Sequence, residues 1–133
     1  VALDEEREAP VVMLTDVTGT FSLPIYIGVV EATAIAMHLD GVDLGRPLTH
    51  DLMKGLLDAL GATLERVEVS DLKEGTYYAT LHVRAEGRVI QVDARPSDGI
   101  ALAVRCGTPI SVDEKVIDES NVVIGDGGPK GEE

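Results

Sequence analysis

Apolar residues recur along the chain with two different periods, one typical of strands and the other typical of helices. Every second residue is apolar in residues 21–27 and 76–85, so both stretches are predicted strands. In residues 49–60 the period is close to 3.6, which predicts an amphipathic helix with one apolar stripe: Leu52, Met53, Leu56, Leu57 and Leu60. Residues 97–106 are apolar on nearly every side, so a helix there should be central in the fold.

Turn signals divide the rest of the chain into further elements. Strands are predicted at residues 11–14, 63–72, 88–94 and 110–112, with tight turns at Glu74-Gly75 and Glu86-Gly87. A further helix is predicted at residues 28–39, and a helical turn at 113–119. Hairpins mixed with helices predict one α+β domain, with a largely antiparallel or mixed sheet and two to three packed helices. This domain covers residues 1–120, and residues 121–133 are expected to form a short strand and then a flexible tail.

The composition is that of an ordinary globular domain. Of the 133 residues, 44% are hydrophobic and 26% are charged, and no apolar run approaches the roughly 20 residues of a membrane span. Cys106 is the only cysteine, which excludes an internal disulfide and a cysteine-based zinc site. The lone cysteine favours a reducing, cytoplasmic location.

The net charge is −13, from 24 acidic and 11 basic residues, and it repels a polyanion at long range. No Trp, one Phe and three Tyr provide few rings on which bases could stack. The composition alone therefore does not indicate a nucleic-acid binder, and an acidic nuclease would need divalent cations to reverse the local field.

An Arg-Pro pair twice leads through a hydroxyl residue into a predicted helix with an aspartate in its first turn, as RPLTHD at residues 46–51 and RPSD at residues 95–98. Proline disfavours helix in the preceding residue, so Arg46 and Arg95 are expected in extended backbone. Thr49 and Ser97 are the expected N-cap residues. Each copy would place a guanidinium and free backbone N–H groups at one helix end, an arrangement that binds phosphate.

The aspartates of the two motifs, Asp51 and Asp98, have two interpretations that weigh about equally. Either they are metal ligands, or they neutralise the arginines in structural clamps, Arg46 with Asp51 and Arg95 with Asp98 or Asp93. The choice decides whether the two motifs are functional sites or parts of the scaffold.

Two more side chains have both a functional and a structural interpretation. His50 is either a general base or a half-buried histidine bonded to backbone, because it lies on the flank of the apolar stripe. Glu31 either favours the positive end of its own helix or meets Asp51 or Asp98 across the fold.

Four blocks of the sequence resemble the bifunctional nuclease domain family of bacteria and plants. They are LPIYIG at 23–28 followed by Glu31, RPLTHDL at 46–52, DL at 71–72 with GTYYA at 75–79, and VDARPSD at 92–98 running into IALA at 100–103. Order and spacing agree from about residue 11 to residue 120, nearly the whole domain. Tyr26 and Tyr77 stand where Trp and Phe are expected, and Gly99 stands where Ala or Ser is usual. The resemblance implies cleavage of both DNA and RNA.

Two hypotheses of function follow. The first is a metal-assisted phosphodiesterase that acts on DNA and RNA with little sequence preference. Its residues would be Asp51 and Asp98, with Glu31, for Mg²⁺ or Mn²⁺; His50 as base or proton shuttle; and Arg46, Thr49, Arg95 and Ser97 for phosphate. The second is a non-catalytic oligomeric module whose Arg-Pro sites hold the fold or a small anionic ligand.

A homo-oligomer, most simply a dimer, is expected in either case. The family resemblance suggests association. In addition, residues 11–14 form a continuous apolar run, as in a strand covered on both faces, and residues 121–125 are expected to form an edge with little of the domain left to pair with.

Overall fold

A computed structural model describes residues 2–4, 9–119 and 123–124 of the chain. Its strands are β1 (Ala2–Asp4), β2 (Ala9–Thr15), β3 (Phe21–Tyr26), β4 (Thr63–Lys73), β5 (Thr76–Ala85), β6 (Arg88–Ala94), β7 (Ile110–Val112) and β8 (Val123–Ile124). Its helices are α1 (Val29–Leu39), α2 (Thr49–Ala59), α3 (Pro96–Cys106) and α4 (Glu114–Glu119). None of the described helices is long and apolar enough to cross a bilayer.

The strands form two mostly antiparallel sheets that pack with helices, so the predicted α+β class is confirmed. Sheet 1 has the order β1-β2-β3-β8 and is antiparallel throughout, whereas sheet 2 has the order β6-β5-β4-β7. Only the β4–β7 pair of sheet 2 is parallel. The two predicted tight turns join β4 to β5 and β5 to β6, and their glycines, Gly75 and Gly87, have positive φ values of 79° and 80°.

Helix α3 lies at the centre of the molecule, as its all-round apolar sequence predicts. Leu102 and Ala103 pack in one cluster with Val67 and Leu81 of sheet 2. Ile100 and Ala101 pack in a second cluster with Val12 of sheet 1 and Ile35 of α1. Because both sheets and the other long helices rest on α3, its N-terminal turn is held firmly in place.

Gly99 shows how closely α3 approaches sheet 2. A Cβ atom on Gly99 would lie 2.8 Å from Cγ1 of Val67, which is itself fully buried. Glycine therefore allows the helix to sit against β4 at a distance that a larger residue would not permit without a shift.

The two stretches that suggested association are both paired within the chain. Strand β2 lies between β1 and β3. Val11 and Val12 are buried and Leu14 packs against the core, but Met13 is exposed, so the expectation of cover on both faces is wrong at Met13. Residues 123–124 pair with Phe21 and Ser22 of β3, and the rest of 121–125, like the predicted tail, lies outside the described residues. On the cleft side, sheet 2 ends at β6, and no strand of the described residues pairs with the outer side of β6.

Candidate functional site

A cleft of about 880 Å³ opens between α1, the N-terminal end of α2 and the junction of β6 with α3. Its lining includes five of the eight predicted site residues: Glu31, Thr49, His50, Arg95 and Asp98. The lining also includes apolar side chains, among them Met53, Leu81, Val92 and Ala94. The three predicted site residues that do not line this cleft are Arg46, Asp51 and Ser97.

The helix starts at this cleft differ from the predicted ones. Arg95 has extended backbone (φ −73°, ψ 145°), as expected before proline, but Arg95 itself is the N-cap of α3 and Pro96 is the first helical residue. The N-cap of α2 is Leu48, whose N–H donates to Oδ2 of Asp51 at 3.0 Å. The prediction that Thr49 and Ser97 are N-caps is therefore wrong, because proline and an aspartate three residues along set the helix starts instead.

Asp98 is the centre of a hydrogen-bonded chain that joins three helices. Nε2 of His50 lies 3.0 Å from Oδ1 of Asp98, and Nε of Arg95 donates to Oδ2 of Asp98 at 3.0 Å. Arg95 also donates from an Nη atom to Oε2 of Glu31 at 3.2 Å. We call these four side chains, Glu31, His50, Arg95 and Asp98, the Asp98 network. The predicted Arg95–Asp98 pair is present, and Glu31 reaches Asp98 through the arginine.

The Asp98 network fixes the charge on the aspartate and the tautomer of the histidine. Burial alone would raise the pKa of Asp98, but hydrogen bonds from Arg95 and His50 outweigh it and hold the pKa below its ordinary value of 3.8. An ionised carboxylate only accepts, so Nε2 of His50 carries the proton in this contact. The structural interpretation expected a histidine bonded to backbone. His50 is buried, but its hydrogen bond goes to the side chain of Asp98. Nδ1 of His50 has no hydrogen bond to any described residue and is left as the basic nitrogen.

Asp51 belongs to a separate ion pair, in which the arginine is buried and the aspartate is partly exposed. Nε of Arg105 donates to Oδ1 of Asp51 at 2.7 Å, and the Nη atoms of Arg105 donate to the carbonyl oxygens of Ala101 and Ala34 at 2.8 and 2.9 Å. The hydrogen bond from the N–H of Leu48, together with the hydrogen bond and the charge of Arg105, lowers the pKa of Asp51 below 3.8. Asp51 lies outside the cleft lining and its charge is already balanced by the buried guanidinium of Arg105, so it does not fit the role of a metal ligand.

Arg46 is not part of this ion pair, so the predicted Arg46–Asp51 clamp is wrong. Arg46 is exposed, lines a neighbouring hollow and forms no ion pair with any residue of the described ranges. The arginine that sequence reasoning missed is Arg105. Its signal was that it is the one basic residue in the otherwise apolar helix of residues 97–106.

The donor chemistry of the cleft fits a divalent ion held loosely. Within the described ranges, no three His, Cys, Asp or Glu side chains form a cluster that could hold a metal ion. The cleft lining nevertheless contains three carboxylates, Glu31, Asp93 and Asp98, against the single guanidinium of Arg95. Mg²⁺ keeps several waters and commonly uses one or two protein carboxylates together with substrate phosphates. These residues therefore fit an ion that arrives with a phosphate, without a closed protein cage.

Comparison with known proteins gives a consistent family match. The family model of the bifunctional nuclease domain matches residues 12–125. An uncharacterized protein of Mycobacterium tuberculosis is 44% identical over 126 residues, which are 95% of this chain and 75% of the relative. Bifunctional nuclease 2 of Arabidopsis thaliana is 30% identical over 111 residues, which are 81% of this chain and 33% of that protein. Bifunctional nuclease 1 of Oryza sativa subsp. indica is 26% identical over 97 residues, 71% of this chain and 29% of that protein. The chain thus spans about a third of the plant relatives' length.

Proposed function

Because the chain belongs to the bifunctional nuclease domain family, we propose that its cleft hydrolyses phosphodiester bonds in DNA and RNA with little sequence preference. The observation that carries this proposal is the Asp98 network, in which an oriented histidine and a solvent-facing arginine share one carboxylate. A base and a phosphate-binding cation on the same wall of a cleft are the parts that hydrolysis of a phosphodiester needs.

In this proposal His50 is the general base. Asp98 holds the proton on Nε2, so the lone pair of Nδ1 is available to accept a proton from the attacking water. The same carboxylate would stabilise the imidazolium that forms, in the way that an aspartate supports the histidine of a hydrolytic triad. His50 is thus the proposed catalytic residue. Asp98 orients His50 and also holds Arg95, the residue proposed below to bind phosphate.

Arg95 is the proposed phosphate clamp. Its side chain is 63% exposed, and among the described residues it forms ion pairs with Glu31 and Asp98 alone. Solvent screens such exposed ion pairs and makes them weak, so a phosphate can replace a carboxylate on the guanidinium. Two parallel N–H donors of an arginine match two phosphate oxygens. Thr49 lines the same cleft and is the proposed hydroxyl contact to phosphate, whereas Arg46 and Ser97 lie outside the lining and are not included.

We also propose that the reaction requires Mg²⁺ or Mn²⁺. When bound, such an ion would neutralise the scissile phosphate and lower the pKa of its bound water. Glu31 and Asp98 are the proposed ligands, since both line the cleft and both already face a cation, the guanidinium of Arg95. Asp93, also in the lining, adds negative charge that attracts the ion but repels free phosphate.

The test compares variants that are purified in the same way. The wild-type protein should cut single-stranded DNA and RNA with added Mg²⁺ or Mn²⁺ and stop in EDTA. His50→Ala should lower the rate by about 10²–10⁴-fold, the usual contribution of a general base, and Asp98→Asn should also lower it. His38→Ala is the matched control, because His38 is exposed and does not line the cleft. Equal rates in all preparations would mean that the cleavage comes from a contaminant or another site.

The alternative function is a non-catalytic module that binds an anionic ligand together with a cation, and the acidity of the cleft is the reason for the cation. With His50 neutral, the lining has one positive and three negative side chains, so free anions bind poorly unless a cation accompanies them. If no cleavage is seen, the melting temperature should still rise when a mononucleotide and Mg²⁺ are added together. Arg95→Met should abolish that rise.

A further inference from the structure

The guanidinium of Arg95 lies between the two carboxylates that are proposed as metal ligands. Nε and one Nη atom lie 3.0 Å from Oδ2 of Asp98, and the other Nη atom donates to Oε2 of Glu31 at 3.2 Å. All three nitrogens of the group therefore face these carboxylates, although the side chain is largely exposed. A phosphate can receive two parallel donors from Arg95 only if the arginine gives up part of these contacts.

The carboxylate oxygens that face Arg95 are also the ones left for a metal ion. Oδ1 of Asp98 lies 3.0 Å from Nε2 of His50, and it accepts the proton of that nitrogen. Oε1 of Glu31 lies in the space that a Cβ atom on Gly28 would occupy, so this oxygen is packed against the backbone at the start of α1. The other two oxygens, Oδ2 and Oε2, both face the guanidinium. A divalent ion bound to them would lie beside a positive charge, which would repel it.

We propose that Arg95 masks the metal ligands in the free protein and that a phosphate group unmasks them by binding the guanidinium, so that the cleft takes a divalent cation and a phosphate as a pair. This inference rests on the proposed roles of Glu31 and Asp98 as metal ligands and of Arg95 as the phosphate clamp. It adds that each ligand binds weakly until the other is present.

The charges of the Asp98 network agree with binding as a pair. With His50 neutral, the two carboxylates and one guanidinium of the network carry a net charge of −1. A divalent cation alone would change this charge to +1, and a phosphodiester alone would change it to −2. Both together bring it to zero. Because an unbalanced charge is costly where the carboxylates are partly buried, the doubly occupied cleft is favoured over either singly occupied one.

Masking by Arg95 makes a prediction that simple bridging by the ion does not. In both cases the nucleotide tightens the binding of the ion, and the ion tightens the binding of the nucleotide by the same factor. An ion that only bridges the protein and the phosphate gains nothing when Arg95 is removed. If Arg95 masks the ligands, removing its guanidinium should improve binding of the ion in the absence of any phosphate.

Titration with Mn²⁺, followed by electron paramagnetic resonance, tests the proposal, because the signal of the hydrated ion is lost when the ion binds to the protein. Arg95→Met should bind Mn²⁺ alone roughly tenfold tighter than the wild type, the order of magnitude for removing a unit charge a few ångströms from a divalent ion. Arg84→Met is the matched control. It removes the same charge from an exposed arginine that also pairs with a carboxylate, Glu65, outside the cleft lining, and it should bind Mn²⁺ like the wild type.

The same titration with thymidine monophosphate gives a readout on the wild type that needs no variant. This nucleotide carries a phosphate but no phosphodiester bond to cleave, and a titration without protein corrects for ion bound to the free nucleotide. It should tighten Mn²⁺ binding to the wild type by about tenfold, within the usual range of coupling between sites, and to Arg95→Met by much less.

Three results would overturn the proposal. The first is an affinity of Arg95→Met for Mn²⁺ alone that is equal to or below that of the wild type. The second is an equal gain in Arg84→Met, which would assign the effect to the overall charge of the chain. The third is a wild-type affinity for Mn²⁺ that the nucleotide does not change. Since these are binding measurements, they can fail although cleavage is observed, and they can succeed although none is observed.

Discussion

Two arginines each form an ion pair with an aspartate in the first turn of a helix, and replacing them should lower the stability of the fold by very different amounts. Arg105 holds Asp51, and its side chain is 3% exposed; Arg95 holds Asp98, and its side chain is 63% exposed. We consider the same substitution at both positions, Arg105→Met and Arg95→Met, because methionine keeps most of the length of the aliphatic stem and removes the charge and the hydrogen-bond donors.

The contacts of each guanidinium give the magnitudes. Removing Arg105 takes away the hydrogen bond to Oδ1 of Asp51 and the side-chain hydrogen bonds to the carbonyl oxygens of Ala101 and Ala34. Breaking a buried ion pair by removing one partner costs about 3–5 kcal/mol. Asp51 is 40% exposed and water can replace part of the lost bond, so we expect the lower end, about 3 kcal/mol. For the exposed Arg95 pairs we expect a much smaller loss, because solvent screens them.

Urea unfolding followed by circular dichroism measures both differences. The free energy of unfolding is obtained by linear extrapolation, and equal slopes in all variants show that the same surface is exposed. For a domain of this size, each kcal/mol corresponds to roughly 3–5 °C, so the melting temperature should fall by about 10 °C for Arg105→Met and by under 5 °C for Arg95→Met. Only Arg95→Met should lower substrate binding directly, because Arg105 does not line the cleft.

Two results would refute this reasoning. A loss of stability below about 1 kcal/mol for Arg105→Met would mean that the attraction between Arg105 and Asp51 does no more than offset the cost of removing the arginine from water. A loss for Arg95→Met as large as that for Arg105→Met would mean that exposure does not decide the value of these pairs, and that Arg95 is a structural clamp after all.

Three further predictions concern acid stability, salt dependence and packing. The pKa of Asp51 is lower in the folded state than its ordinary value of 3.8, so ionised Asp51 stabilises the fold fully above pH 3.8, and this contribution is lost as the pH falls below that value. Asp51→Asn should therefore flatten the acid side of the curve of stability against pH. An unchanged curve would contradict the lowered pKa of Asp51. Arg95 is the one arginine or lysine in the cleft lining, so log(kcat/KM) on single strands should fall with log[salt] at a slope of about −0.7; a slope several times steeper would indicate further phosphate contacts. Gly99→Ala would bring its Cβ to 2.8 Å from Val67, and overpacking of about 1–3 kcal/mol should exceed the gain of roughly 1 kcal/mol in helix propensity; a variant that melts above the wild type would contradict this.

The elements of this fold could be predicted because their signals are local. The apolar stripe at residues 49–60 corresponds to α2, Thr49–Ala59, and the alternation at residues 76–85 corresponds to β5, Thr76–Ala85. Turn residues and side-chain periodicity act within a few positions of the chain, so one sequence is enough to identify them.

The partners of the charged site residues could not be predicted in the same way. Asp51 could pair with Arg46, five positions away, or with Arg105, 54 positions away, and nothing in their side-chain chemistry distinguishes the two arginines. Tertiary packing decides, because α3 is buried and its arginine must find acceptors there. The N-caps were mispredicted for a related reason: the preference for a hydroxyl is worth only about 1 kcal/mol, and Pro96 and Asp51 override it.

The pairing of β8 with β3 has a consequence for the order of folding. Strands β4, β5 and β6 are joined by two-residue turns, so they can form within a short stretch of chain. Strand β8 instead pairs with residues roughly 100 positions earlier, which closes a loop of nearly the whole domain. Since loop-closure entropy must be overcome before such a contact is rewarded, we expect the β4–β5–β6 meander to form early and β8 to join last. During synthesis on the ribosome, sheet 1 would then keep an open edge at β3 until residues 123–124 emerge, and this interval is when the nascent chain is most exposed to misassembly with a neighbouring chain.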